Sequence, residues 1–476
     1  MNAKIAALAL VAIGSVTAVG NFLTRPEYKT VAAATYYVDP TGNNSNACTA
    51  SGTAACATLS GVFAKLPPRI LHAITINVAA GTYSDAPNLN GNEVLGNLTI
   101  AGPALVNVTP TTGSASGTLT AVNNAAPAVM TDSGATWTVN DFVGRHLLIG
   151  GVRRVIASNT ATTITLASPY GSAPSVGAAY SIQKQGATFT ANTTDATFTL
   201  RLSGNGVPAG GLIFISVSGL EFINTTGSAG DGCSIALSTQ FLSFSNSRCF
   251  GLTTGLTYAG GGTISTGAST FHGTTGFAYG TAIGNPLSGA ITASNGFFYG
   301  TTYGGLTASG TGLFGLNGSS GWTAQTNSSS SLYGAFSVSA VTSRTGTGTG
   351  ITVFKCLQAG PAGAIQVATT TNNTSPQAFW TLDNLFIDGC TTGVDFSQGM
   401  GNATATATSS FTCRGTPTCI SVANGSRFRV PGTFTLTGVT TDISIDGVAY
   451  TKANLTGASP TRLPTTPNIT GSSVWQ

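Results

Sequence analysis

Five segments of this sequence end in the same kind of turn. They read FINTTG (222–227), CFGLTTG (249–255), FHGTTG (271–276), FFYGTTYG (297–304) and IDGCTTG (387–393). Each runs from apolar or aromatic residues into Gly or Asn and closes on Gly. The first four closing glycines, Gly227, Gly255, Gly276 and Gly304, are 28, 21 and 28 residues apart. A period of 20–50 residues is the mark of a repeat architecture, in which no unit can bury its apolar face alone. Gly or Asn after the apolar residue suits tight corners, which need a positive φ. A coil of this length also supplies the crossover that parallel strands require. The spacing therefore predicts stacked coils of parallel strands over 186–446. The interval 305–380 is poorly periodic and reads as projecting loops.

Upstream, TYYVDPTGNN (35–44) alternates and then turns at Pro-Thr-Gly, a short helix fits 57–66, and Pro67-Pro68 stops it. ITINVAAGTY (74–83) and LGNLTIAGP (95–103) read as strands ended by glycine turns. This order resembles the N-terminal opening of right-handed parallel β-helix proteins of the pectin-lyase-like group, in the style of secreted bacterial surface proteins and phage tail appendages. The resemblance covers about 70 residues and carries no catalytic residue. It implies an all-β, right-handed parallel β-helix. Residues 109–185 differ: HLLIGG, VRRVIASN, TTITLA and AAYSIQ are short strand-like runs between Gly, Ser, Asn and Pro turns. They predict a small antiparallel β module inserted near the N-terminus. The expected division is a signal-like segment 1–20, a linker 21–34, an N-terminal cap and first coils 35–108, the module 109–185, the β-helix 186–446 and a C-terminal cap or tail 447–476.

Met1-Asn2-Ala3-Lys4 followed by an apolar run from Ile5 to Gly20 matches a secretory signal and falls short of the ~20 residues of a membrane span. No stable membrane span is expected after its removal. The eight cysteines, an even number without CxxC spacing, agree with export and disulfides. Short-range pairings are Cys48–Cys56, Cys233–Cys249 and Cys413–Cys419. Cys390 and Cys413 stand about one coil apart, so a coil-to-coil bridge rivals the last of these; Cys356 has no short-range partner. Charged residues make up 7% of the chain, against about 25% in ordinary domains, and the net charge is +4. That excludes an electrostatic nucleic-acid binder, which needs clustered cations. With few charges to guard strand edges, self-association into an oligomer or fibre is expected.

A polysaccharide-cleaving site of this fold would need paired carboxylates or an acidic calcium cluster with a base. The paired Asp-Asp, Gly-His-Gly and Arg-Ile-Lys signatures are absent, and Phe271-His272-Gly273 is only a fragment of one. The best acidic set is Asp383, Asp388 and Asp395 in TLDNLFIDGCTTGVDF. It is the one arrangement to which calcium or catalysis can be assigned, and three scattered carboxylates fall short of the six to eight oxygens calcium takes. No cofactor is otherwise expected. His72, His146 and His272 share no ligand spacing.

The repeats also align two columns: Phe222, Cys249, Phe271, Phe298 and, one residue on, Ile223, Phe250, His272, Tyr299. Alternation puts one column inside and the other outside. With the first as core, Phe250, His272 and Tyr299 form an exposed aromatic stripe able to stack on sugar rings. The functional expectation is a secreted or surface-displayed, non-catalytic adhesin or fibre that binds glycans. Its alternatives are a secreted polysaccharide lyase or hydrolase and a phage tailspike or tail fibre; eight cysteines and a signal segment weigh against the last.

Overall fold

The computed structural model describes residues 29–203, 213–225, 230–238, 240–260, 262–273, 385–396 and 410–423, together with short strands between and beyond them. Almost every element is a β-strand. The described exceptions are one helical turn, Leu59–Phe63, and a 3-10 turn at Gly52–Ala54. Thr58 caps the helical turn by accepting from Gly61 N at 3.0 Å. The signal-like segment 1–20 lies outside the described residues, among which no helix is long and apolar enough to cross a membrane.

The strands are dealt in turn to three parallel sheets. The first face runs through Ile74–Val78, Leu98–Ala101, Phe214–Ser218, Phe241–Ser245 and Thr263–Gly267. The second runs through Gly81–Ser84, Ala187–Ala191, Leu220–Asn224, Arg248–Gly251, Thr270–Gly273 and Phe297–Gly300. The third runs through Asn88–Val94, Phe198–Ser203, Cys233–Leu237 and Leu256–Gly260. One coil is thus three strands joined by corners, and each strand pairs with its counterpart one coil later. The expected strand over 74–83 is divided between two faces, because the chain turns a corner between Val78 and Gly81. The burial phase shifts by one residue across the corner, from Ile74, Ile76 and Val78 to Tyr83.

Alternation fills the interior. In Ile74–Val78 the buried positions are alternate ones, Ile74, Ile76 and Val78. On the second face the register places Tyr83, Phe189, Phe222, Cys249, Phe271 and Phe298 in one inward column, and all six are buried. Parallel strands lie about 4.8 Å apart, a distance at which successive rings in a column can stack. Tyr83 and Phe189 do so at 4.8 Å, Phe189 and Phe222 at 5.3 Å, and Phe271 and Phe298 at 5.4 Å.

The chain leaves the coil after Leu98–Ala101 and re-enters it at Ala187–Ala191. In between, strands from Val106–Asn107 to Ala179–Lys184 form a separate antiparallel sheet. It has its own core, including Met130, Trp137, Phe142, Ile164 and Tyr180.

All eight cysteines are paired: Cys48–Cys56, Cys233–Cys249, Cys356–Cys390 and Cys413–Cys419. The rival bridge from Cys390 to Cys413 is not formed. In register, Cys413 stands opposite Ile387, while Cys390 lies in the turn beyond that strand, beside the end of Thr352–Cys356. Counting one coil length therefore lands three residues out of register. The last three bridges all tie the second face to the corner or strand that leads into the third.

Candidate functional site

The column Ile223, Phe250, His272 and Tyr299 faces out of the coil, as alternation requires. It is not an open stripe. Phe250, His272 and Tyr299 are half-buried, because the inserted module folds down over this part of the second face. Val155, Ala157 and Ala167 of the module pack on Phe297, with Val143 and Tyr299 alongside. The rings touch edge to face, Phe250 to His272 at 4.7 Å and His272 to Tyr299 at 4.7 Å. The exposed sugar-stacking stripe expected from the sequence is thus the seat of the module.

Charge fixes the module on this seat. Glu221 Oε1 accepts from Arg145 Nη1 of the module at 2.6 Å and also from Arg248 Nη1 of the coil. Thr188 Oγ1 donates to Glu221 Oε2 at 3.0 Å. Burial alone would raise the Glu221 carboxyl, but Arg248 and Arg145 outweigh it and hold it at about 2. Thr270 Oγ1 donates to the carbonyl of Gly144 at 3.2 Å. Gly144 has φ +77°, and a Cβ there would stand 2.8 Å from Thr270 Cγ2, so the close approach needs glycine. Burial lowers His146 to about 4, helped by Arg153, Arg145 and Arg248, and burial with Arg248 lowers His272 to about 3. Neither imidazole is poised as a base near neutrality.

Of the acidic set, only the side chain of Asp388 is described. Asp388 is engaged by Arg414, whose Nε and Nη2 donate to Oδ1 and Oδ2, each at 2.9 Å. The same guanidinium lies over the Phe386 ring at 5.1 Å. Asp383 and the side chain of Asp395 lie outside the described residues. Among the described residues, no group of three or more His, Cys, Asp or Glu is placed to hold a metal ion.

A groove of about 360 Å³ opens instead where the second face turns into the third, lined by Asn88, Asp195, Thr199, Arg201, Asp231 and Ser234 among others. Asn88, Thr199 and Ser234 are register partners on three successive coils, so the groove runs along the stack. Asp195 and Asp231 come from successive corners. Both are positioned by Asn224, which is buried and sends Nδ2 to the carbonyls of Thr193 at 2.9 Å, Asp195 at 2.9 Å and Asp231 at 3.3 Å. Gly230 leaves room for this amide: a Cβ there would stand 2.2 Å from Asn224 Nδ2.

The two carboxylates differ in setting. Asp195 is exposed. Asp231 is half-buried, accepting from Thr254 N at 3.2 Å and from Thr257 Oγ1 at 3.0 Å. Burial pushes its carboxyl up, against these hydrogen bonds. Arg201 is exposed and donates from Nη2 to Ser234 Oγ at 3.4 Å. Sequence reasoning does not single out this site. Its sequence signal is weak: Asp195 directly follows Asn-Thr-Thr at 192–194, whereas Gly-Ser-Ala-Gly separates Asp231 from the Asn-Thr-Thr at 224–226.

No protein-family description matches the sequence, and no curated protein does. Solved structures with a similar course of chain include a glycoside hydrolase, 11% identical, over 93% of this chain and 96% of that one with a TM-score of 0.33. The tailspike gp61 of Pseudomonas phage phi297 is 10% identical over 85% and 71%, with a TM-score of 0.27. The Gp54 tailspike of Acinetobacter baumannii bacteriophage AP22, solved with a capsular saccharide, is 11% identical over 80% and 67%, with a TM-score of 0.23.

Proposed function

We propose that this chain is a right-handed parallel β-helix protein that works outside the cytoplasm and holds a polysaccharide in the groove between its second and third faces. Right-handedness is the rule for parallel strands joined by crossovers. Four disulfides suit an oxidising compartment, at a cell surface or on a virion. The observation that carries the reading is the groove itself: an open strip along the coil axis lined by an amide, hydroxyls, two carboxylates and a guanidinium drawn from successive coils. Such a strip offers hydrogen bonds to an extended, hydroxyl-bearing chain, and the role is adhesive.

Affinity electrophoresis and calorimetry against a panel of soluble glycans test this. Arg201→Ala and Asp231→Asn are each expected to weaken binding about tenfold, which is the loss of about 1.4 kcal/mol expected of a hydrogen bond to a charged group. Wild-type affinity in both variants would place the ligand elsewhere.

A second reading rests on the difference between the two carboxylates. A half-buried, raised Asp231 beside an exposed Asp195 is the split environment that glycosidic acid–base chemistry uses. Release of reducing ends by the wild type, abolished in Asp231→Asn, would turn the adhesin into a hydrolase.

Self-association belongs to the same proposal, since the ends of a coil stack present strands with unpaired backbone groups. Light scattering on the intact chain is expected to give an oligomer; a monomer mass removes that part of the reading.

A further inference from the structure

We infer that the groove selects uncharged, hydroxyl-rich glycans and turns away polyuronates. The inference rests on the groove being the glycan site, and it adds which glycans enter. Among the described residues, the ionisable side chains lining the groove are two carboxylates, Asp195 and Asp231, and one guanidinium, Arg201. The rest of the lining is amide, hydroxyl or small: Asn88, Thr199, Ser234, Thr253 and their neighbours. Among the described residues no aromatic ring lines it, so the lining acts through hydrogen bonds.

The donors and acceptors suit neutral sugars. An ionised carboxylate has about four acceptor sites. Asp231 uses one on each oxygen for the corner, at Thr254 N and Thr257 Oγ1, and keeps acceptor capacity on both. Asp195 is exposed at the next corner, its main chain fixed through Asn224. Two carboxylates of this kind accept from sugar hydroxyl groups, while Arg201, Asn88 and Ser234 donate to ring and hydroxyl oxygens.

A polyuronate meets a different balance. It carries a carboxylate on every residue, and the groove follows the coil axis across strands spaced about 4.8 Å apart. Its charges must therefore pass Asp195 and Asp231 within a few ångströms. Arg201 can pair with one of them. The others face like charge, and like-charge juxtaposition is a standard means of excluding a wrong partner.

The experiment compares dextran and galactomannan with polygalacturonate and alginate, at low and high salt, on the wild-type protein and on Asp195→Asn. Asp195 is exposed, so its replacement leaves the fold intact. The wild type is expected to bind at least one neutral polymer about tenfold tighter than either polyuronate. Asp195→Asn is expected to raise polyuronate affinity severalfold, and high salt to narrow the gap. Binding of no polymer at all overturns the groove reading. Polyuronate binding as tight as neutral binding overturns the selectivity and leaves the groove reading standing. Unchanged polyuronate affinity in Asp195→Asn overturns the charge origin argued here.

Discussion

Glu221→Gln is expected to cost about 3–5 kcal/mol of the stability with which the inserted module sits on the coil, the size seen when one partner of a buried ion pair is removed. The substitution keeps the shape of the side chain and leaves an acceptor for Thr188. It deprives two guanidinium groups, Arg145 and Arg248, of their shared counter-charge while they stay packed together. Arg248 is 8% exposed and cannot turn to water without lifting the module. Chemical denaturation followed by the fluorescence of Trp137, which lies in the module core, measures the loss. Replacing Arg145, Glu221 and Arg248 together with apolar residues of similar size is expected to restore most of it, because no charge is then left unpaired. A single-variant loss below about 1 kcal/mol, the range of exposed pairs, would show that solvent reaches this seat.

Acid is expected to loosen the same contact, beginning well above the range in which carboxylates titrate. His146 is fully buried and holds its proton only below about 4, whereas an unfolded histidine takes one near 6.5. Between those values the unfolded or detached state binds more protons, so stability falls as pH falls from 6.5 to about 4. One pH unit of such a gap is worth about 1.4 kcal/mol, giving a loss of about 3 kcal/mol from His146. His272 acts in the same direction, down to about 3. Glu221 adds stability that is full above about 4.5 and is lost as pH falls toward its folded value of about 2. Denaturation midpoints at pH 7, 5 and 4 check this, and His146→Gln is expected to flatten the upper part of the curve. A midpoint that does not move between pH 7 and 4 would refute it.

The inward column was readable in the sequence because its members recur next to Gly and Asn turns, and stacked parallel strands repeat their contacts at each coil. Phe222, Cys249, Phe271 and Phe298 stand where alternation puts them. The partner column was also assigned its face, but not its exposure. Nothing local to Phe250, His272 or Tyr299 signals that Arg145 and Val155, more than a hundred positions before His272, will come down on this face at Glu221 and Phe297. The three short-range disulfides are legible from spacing alone. The rival bridge from Cys390 to Cys413 does not form for a related reason: spacing predicts coil length, whereas bridging depends on register, and a corner shifts register by a few residues. The groove was hardest to see. Asp195 and Asp231 are ordinary turn residues in sequence, and their two corners are held side by side by the buried amide of Asn224 and by the main-chain bond from Thr197 N to the carbonyl of Asp231.

The order of synthesis gives the docked module one further consequence. A ribosome finishes the module at Lys184, while the last part of the surface that receives it, Phe297 and Tyr299, emerges much later. Until then Val155, Ala157 and Ala167 lack Phe297 as a surface to rest on, and the nascent chain carries a sticky flank. The four covalent ties make no such demand. Each closes between cysteines 6 to 34 residues apart, so oxidation can keep pace with elongation while the flank waits for its cover.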